Sequence, residues 1–298
     1  MAISVSAPAK INLTLHVTGQ RADGYHLLDS LVVFGGAQDL IRIEPADVLS
    51  LTVDGPEAAA VPADMGNLVL QVARLLGPDR GARITLTKSL PVASGIGGGS
   101  ADAAATVRGL LRLWQIADGG PAADRALRAI GPGVLALGAD IPVCLQSRPA
   151  RMRGIGEDLA ALPPLPPLPA VLVNPRLPVS TPAVFRRLTE KANTPMPLDI
   201  PAFATVAAFA GWLQGQRNDL QAAARALQPA VGTVLDALGD CAGCLLARMS
   251  GSGATCFGLF ADVSAAQGAA ERLRRDWPGW WIADGMLGEA DCGARNLS

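Results

Sequence analysis

The chain has little that would take it to nucleic acid, into a membrane or out of the cell. Its formal net charge is −1 over 298 residues, with no basic run, so it offers no electrostatic footprint for a phosphate backbone. No apolar run reaches the roughly eighteen to twenty residues that span a bilayer. The longest candidate, Val134 to Leu145, is broken by Asp140 and Pro142. The opening residues, Met1 to Lys10, lack the charged-then-apolar layout of a signal peptide. The expected location is cytoplasmic. Five cysteines (Cys144, Cys241, Cys244, Cys256, Cys292) form an odd, scattered set, as reduced thiols do. Cys241 and Cys244 have C-x-x-C spacing, but no second pair completes a zinc site, and a strand-like run follows where a redox motif would open a helix. A structural role is expected for both. Aromatic residues make up only 4% of the chain, with a single tyrosine.

What is present is apolar material in quantity. At 50% apolar composition the chain can bury a large core, and its length suits about two domains. Ile3 to Val17 reads as strand, broken around Pro8 to Lys10, with His16 as a core or surface position. Ser30 to Val53 reads as further strands with a turn at Gly35-Gly36. Asn67 to Leu76 has helical spacing and a Gly77-Pro78 stop, and Arg83 to Leu90 reads as a strand. Helices are expected over Ala101 to Trp114 and Ala122 to Ile130. The run Pro163 to Pro169 can join neither a helix nor a central strand, which marks a boundary. Beyond it come strands at Ala170–Asn174, Leu245–Met249, Thr255–Phe260 and Trp280–Ala283. Between them lie helices at Thr181–Glu190, Pro201–Leu213, Leu220–Leu227, Val231–Leu238 and Ser264–Asp276. Strands and helices in mixed order give an α+β class, divided here into residues 1–155 and 156–298.

Between the Arg83 strand and the Ala101 helix stand Pro91, Val92, Ala93, Ser94, Gly95, Ile96, Gly97, Gly98, Gly99, Ser100 and Ala101. Glycine lets a backbone turn sharply and bring its N–H groups close to a ligand. Ser100 is a natural N-cap, and the N–H groups after it point outward with the positive end of the helix dipole. The alternative is a tight strand-to-helix turn, but four glycines in five positions exceed what a turn needs. Phosphate binding is therefore expected. No lysine follows the glycines, so this is not a Walker A loop, and Ser100 occupies the third-glycine position of a dinucleotide fingerprint. His-Arg-Asp and Asp-Phe-Gly are absent, which excludes the protein-kinase signature.

The run Pro91-x-x-x-Gly95-x-Gly97-Gly98-Gly99-Ser100 resembles the phosphate loop of the superfamily of galactokinase, homoserine kinase, mevalonate kinase and phosphomevalonate kinase. Ala7-Pro8-Ala9-Lys10-Ile11-Asn12-Leu13 is similar to its opening motif, and Met249 to Thr255, with Gly251, Ser252 and Gly253, to its third. Within the superfamily, Pro8 to Leu13 followed by Arg21-x-Asp23-Gly24-Tyr25-His26 resembles the 4-diphosphocytidyl-2-C-methyl-D-erythritol kinases. Gly138-Ala139-Asp140-Ile141-Pro142 matches the segment that carries their catalytic aspartate. The resemblance runs in order from about Ala7 to Phe260. It implies a two-domain small-molecule kinase with its active site in the interdomain cleft, ATP and Mg²⁺, and a cytidine diphosphate-linked sugar alcohol as acceptor in non-mevalonate isoprenoid synthesis. Many members carry a second serine where this chain has Ala101, so one hydroxyl is missing beside the phosphates while the backbone donors remain.

An alcohol is a poor nucleophile, so a carboxylate placed to take its proton assists as charge builds. Asp140 interrupts an apolar segment, where an unpaired carboxylate would be costly, and Lys10 lies likewise in apolar strand material, with Lys88 the one other lysine of the first half that could serve. The residues alone leave a catalytic pair and a structural ion pair equally open. The resemblance implies the first, with Asp140 as base and Lys10 in support. It further implies that Tyr25 and His26 hold the cytosine, and an aromatic face beside an imidazole suits a base. Asn12 is expected to order the substrate through its amide. Thr181, the glycine loop and residues 251–253 are expected at the nucleotide phosphates. Metal ligands are not identifiable beyond Ser100 and ATP itself.

Overall fold

The computed structural model describes residues 2–115, 130–288, 290 and 295–297. Most of the helix expected at Ala122–Ile130, and Cys292, fall outside the described residues. Among the described residues twelve strands join in one sheet whose main path runs β12-β1-β3-β11-β8-β10-β9. These are Arg295–Leu297, Ala2–Asn12, His26–Glu44, Trp281–Gly288, Leu168–Asn174, Cys256–Phe260 and Cys244–Met249. The 19-residue β3 is the hub, and also pairs with β2 (His16–Gln20), β5 (Arg83–Thr87) and β6 (Ala150–Gly154). Strands β4 (Ser50–Asp54) and β7 (Asp158–Ala161) extend the sheet through β5 and β6.

Two expectations fail in instructive ways. Gly35-Gly36 is no turn: β3 passes straight through, with φ of 116° and 73° at the two glycines. A Cβ on Gly35 would run into the Met286 carbonyl of β11, so glycine there allows close approach of a neighbouring strand. Pro169 does join a central strand, opposite Met286 of β11. It is tolerated because the ladder to β10 begins only at Ala170, on the side where a proline has no N–H to give.

The break expected near Pro8 is a register irregularity between Pro8 and Lys10, facing Gly35-Gly36 across the β1–β3 ladder. Its consequence is a change of face. Before it, Ile3, Val5 and Ala7 join the core under helix α2 (Gly98–Leu113); after it, Ala9 and Ile11 pack into the core on the other face. Lys10 and Asn12, opposite Phe34 and Val32, are thereby turned to the α2 side.

Helix α2 presses closely on β1 and β3 because its inner residues are small. A Cβ on Gly109 would lie 2.5 Å from Ile43 Cδ1, and Ala101, Ala103, Ala104 and Ala105 are all buried. Helix α1 (Leu68–Leu76) packs on α2, with Asn67 as N-cap accepting from Val69 N–H. In the second half β8 alternates: Leu168, Ala170 and Leu172 face one core, and Val171 and Val173 the other. Among the described residues, no helix is long and apolar enough to cross a membrane.

Candidate active site

The glycine segment turns between β5 and α2 through left-handed backbone at Ala93 (φ 50°), Gly95 (φ 76°) and Gly97 (φ 64°). The N-cap of α2 is Gly97, where Ser100 was expected; the serine lies inside the first turn, and no side chain caps the helix. First-turn N–H groups have no intrahelical carbonyl to reach. At Gly98, Gly99 and Ser100 they are open to an anion, and this absence of a cap is what a phosphate seat needs.

Lys10 and Asp140 meet beneath this turn, Nζ to Oδ2 at 2.7 Å. The lysine side chain is 5% exposed and the carboxylate 33%, so the pair presents its acidic member outward. Asp140 occupies the N-cap position of α3 (Ile141–Gln146) without capping it, which leaves its carboxylate to Lys10. The Lys10 backbone donates to Ile96 O at 2.9 Å, locking β1 to the loop. Arg108 of α2 ties the same elements from behind. It donates to Cys144 O at the end of α3 (2.8 Å) and to Ser6 O of β1 (3.1 Å).

The third motif closes the loop from the other side. Ser250 Oγ donates to Gly95 O and accepts from Asn12 N, both at 3.0 Å. Thr255 N donates to Ser94 O at 3.1 Å, and Thr181 and Ser252 share a hydroxyl contact of 2.6 Å. Asn12 gives its amide N–H to Ser30 at 2.8 Å, while its Oδ1 is buried without a partner. An orphaned acceptor at a cavity wall invites a hydroxyl donor.

All of this lines one cavity of about 1150 Å³. The structure brings to it Lys10, Asn12, Tyr25, His26, Asp140, Thr181, Gly251, Ser252, Pro91 to Gly95 and Gly97 to Ser100. It does not bring Ile96, Ala101 or Gly253 there; Ile96 and Ala101 are core residues. Tyr25 is 60% exposed in the turn between β2 and β3. His26 has a buried, unpartnered Nε2, and burial followed by the nearby Lys191 charge lowers its pKa, so the ring is neutral at pH 7.

One aromatic partner and the ion-pair network around Lys88 escaped the sequence. Phe185, in α4 (Thr181–Arg186), stacks on His26 with ring centroids 4.6 Å apart. Lys88 lies under the first turn of α2, bonded to Asp39 at 2.5 Å and Asp102 at 2.8 Å. Asp102 has its second oxygen unpartnered, and burial pushes its carboxyl up to about 8 despite Lys88. The only sequence signal was a lysine and an aspartate within apolar stretches, the same signal that marked Lys10 and Asp140.

Residues 67–147 match the family described as GHMP kinases N terminal domain, and residues 200–279 that described as GHMP kinases C terminal. A protein of Ruegeria pomeroyi named 4-diphosphocytidyl-2-C-methyl-D-erythritol kinase is 58% identical over 96% of this chain and 100% of its own length. The chain belongs to that kinase family. A solved 4-(cytidine 5'-diphospho)-2C-methyl-D-erythritol kinase superposes with a TM-score of 0.75 at 34% identity, over 96% of this chain and 100% of the other. A homoserine kinase from Cytophaga hutchinsonii shares the fold alone, at TM-score 0.62 and 21% identity over 99% and 97% of the two chains.

Membership makes the chain a kinase, and the site fits a nucleotide triphosphate. The uncapped turn offers backbone donors, and Gly95 lets the loop lie against the third motif, where a Cβ would stand 2.6 Å from Ser250 O. Among the described residues no cluster of three or more His, Cys, Asp or Glu could hold a metal. A hard cation that keeps waters and takes phosphate oxygens needs no such cage, and the Ser100 hydroxyl is among those that line the cavity.

Proposed function

We propose that this chain transfers the γ-phosphoryl group of ATP to the 2-hydroxyl of 4-diphosphocytidyl-2-C-methyl-D-erythritol, in non-mevalonate isoprenoid precursor synthesis. The observation that carries the reading is the Lys10–Asp140 pair under the uncapped turn, in the same cavity as Tyr25 and His26. The glycine loop and residues 251–252 would hold the phosphates, with Thr181 bonded to Ser252 beside them. Mg²⁺, held by ATP and Ser100, would neutralise phosphate charge.

Asp140 accepts the hydroxyl proton as the new O–P bond forms and the bond to the departing ADP oxygen breaks. Lys10 stabilises the ionised carboxylate and the charge that builds beside it. Asn12 Oδ1, short of a donor, accepts from a substrate hydroxyl and orients it. The cytosine lies against Tyr25, with the neutral His26 at its edge. In this reading residues 1–155 carry the nucleotide loop, and 156–298 supply Thr181 and the third motif. Unbridged Cys144, Cys241, Cys244 and Cys256 support a cytoplasmic location.

The deciding experiment measures ADP release with a panel of alcohols. The cytidylyl substrate should stimulate it, and mevalonate, homoserine and galactose should not. Stimulation by one of the latter overturns the substrate assignment. ATP binding without turnover on any alcohol would make the chain a nucleotide-binding regulator.

A further inference from the structure

Seven charged side chains line the cavity: Lys10, Asp23, Lys88, Asp102, Asp140, Arg186 and Lys191. Five of them are neutralised by partners. Lys10 has Asp140 at 2.7 Å, Lys88 has Asp39 at 2.5 Å with Asp102 at 2.8 Å, and Asp23 has Arg21 at 2.7 Å. Arg186 and Lys191 remain. Among the described residues Arg186 makes no hydrogen bond or ion pair, and the Lys191 ammonium meets only Gln20 Oε1 at 3.3 Å. The neighbouring carboxylate, Glu190, is turned away to the backbone, accepting from Lys191 N and Ala192 N at 3.0 Å each. The cavity therefore carries two uncompensated positive charges, both on one short stretch of chain.

Their position gives the charge a use. Arg186 follows Phe185, whose ring stacks on His26, and Lys191 donates to Gln20, the residue opposite His26 in the β2–β3 ladder. Both cations thus flank the aromatic end of the cavity, while the reacting hydroxyl belongs at Asp140. A molecule spanning the two ends places its linker between them. Guanidinium binds phosphate oxygens through paired N–H groups, and an ammonium acts as a point charge beside it.

Resting on the substrate reading above, we propose that Arg186 and Lys191 form a diphosphate seat: they read the two phosphates that join the nucleoside to the sugar alcohol. The pair makes the enzyme selective for a nucleoside diphosphate linkage over a bare nucleoside. His26 and Tyr25 select the base, and these two cations select what is attached to it.

Calorimetric titration with cytidine and with cytidine diphosphate tests this, with the ATP site first filled by a non-hydrolysable ATP analogue. The parent protein should bind cytidine diphosphate more tightly than cytidine. Arg186→Gln and Lys191→Gln should each reduce that preference by about tenfold, the scale of one charge-assisted hydrogen bond. Cytidine affinity and ATP-analogue affinity should stay at parental values in both variants. An unchanged preference in the double variant overturns the proposal, as does a parent that binds the two ligands equally. If the parent binds neither ligand, the substrate reading itself falls, and the diphosphate seat with it. Because both side chains lie at the surface of the cavity, circular dichroism and a melting curve suffice to confirm folding.

Discussion

Gly97 and Lys10 touch across the phosphate turn: a Cβ on Gly97 would lie 3.3 Å from Lys10 Cβ and 3.5 Å from its Cε. The same Cβ would stand 3.7 Å from Asp140 Oδ2. The turn that exposes the N–H groups of α2 and the pair proposed to handle the proton are thus one packed unit. With φ at 64°, any L-residue here costs about 1–2 kcal/mol of backbone strain before its side chain is considered. Gly97→Val should abolish ATP binding, because its branches fill the space of the phosphates and press on Lys10. Calorimetry on a variant with a parental circular dichroism spectrum checks this, and unchanged ATP affinity would remove the loop from the nucleotide site.

Asp140→Asn keeps the shape of the side chain and removes its basicity. Turnover should fall by at least about a hundredfold, the scale of losing a general base. ATP affinity should hold, since the donors proposed for its phosphates are backbone groups of α2 and the glycine loop. Melting temperature should drop as well, because Lys10 is 5% exposed and would lose its counter-charge. A folded variant turning over at the parental rate would exclude Asp140 as base.

Much of the site was legible because polar residues inside apolar runs are expensive. Lys10 and Asp140 stood out in that way, though only the resemblance favoured a catalytic pair over a structural one, and four close glycines exceed what a simple turn needs. What the sequence could not give was the geometry that depends on partners distant in the chain. The N-cap falls on Gly97 because it is the last left-handed residue of the loop, so the serine three residues on is drawn into the helix. Gly35-Gly36 looks like a turn until β11 is seen packed against it. Asp39, Lys88 and Asp102 come from β3, the segment after β5, and α2, and nothing in their spacing foretells a triad. His26 and Phe185 lie far apart in sequence and stack all the same.

The triad predicts a pH dependence. Burial raises the Asp102 carboxyl to about 8 from its ordinary 3.8, against the pull of Lys88. Between those two values the folded chain keeps a proton that the unfolded chain has lost, so this group's contribution to stability falls as pH rises through the window. Burial pulls Lys88 down, but Asp102 and Asp39 raise it overall; its stabilisation is complete below 10.5 and is lost only at higher pH. Asp102→Asn cannot titrate. Melting curves from about pH 5 to about pH 9 should therefore show a shallower decline for the variant than for the parent. Parallel curves would show that Asp102 is ionised throughout.

Substrate recognition is most directly tested at the turn between β2 and β3. Tyr25 is 60% exposed, so its removal leaves no hole in the core and any effect belongs to binding. Tyr25→Ala should lose about 1–3 kcal/mol of substrate affinity, the worth of one base–aromatic stack. Tyr25→Phe should keep most of it, because the face of the ring makes the contact and its hydroxyl has no partner among the described residues. His26→Ala acts differently. It removes the neutral imidazole whose Nε2 is buried without a partner, and it leaves the Phe185 ring uncovered. Its loss should be separate, about 0.5–1.5 kcal/mol for a neutral hydrogen bond, and additive with that of Tyr25 only if the two do not touch. ATP affinity should be parental in all three variants, since the glycine loop, and neither of these side chains, would hold its phosphates. The measurement is substrate titration, with cytidine diphosphate as competitor. Should the competitor fail and Tyr25→Ala bind substrate normally, the base is held elsewhere in the cavity, and the Tyr25–His26 assignment is wrong.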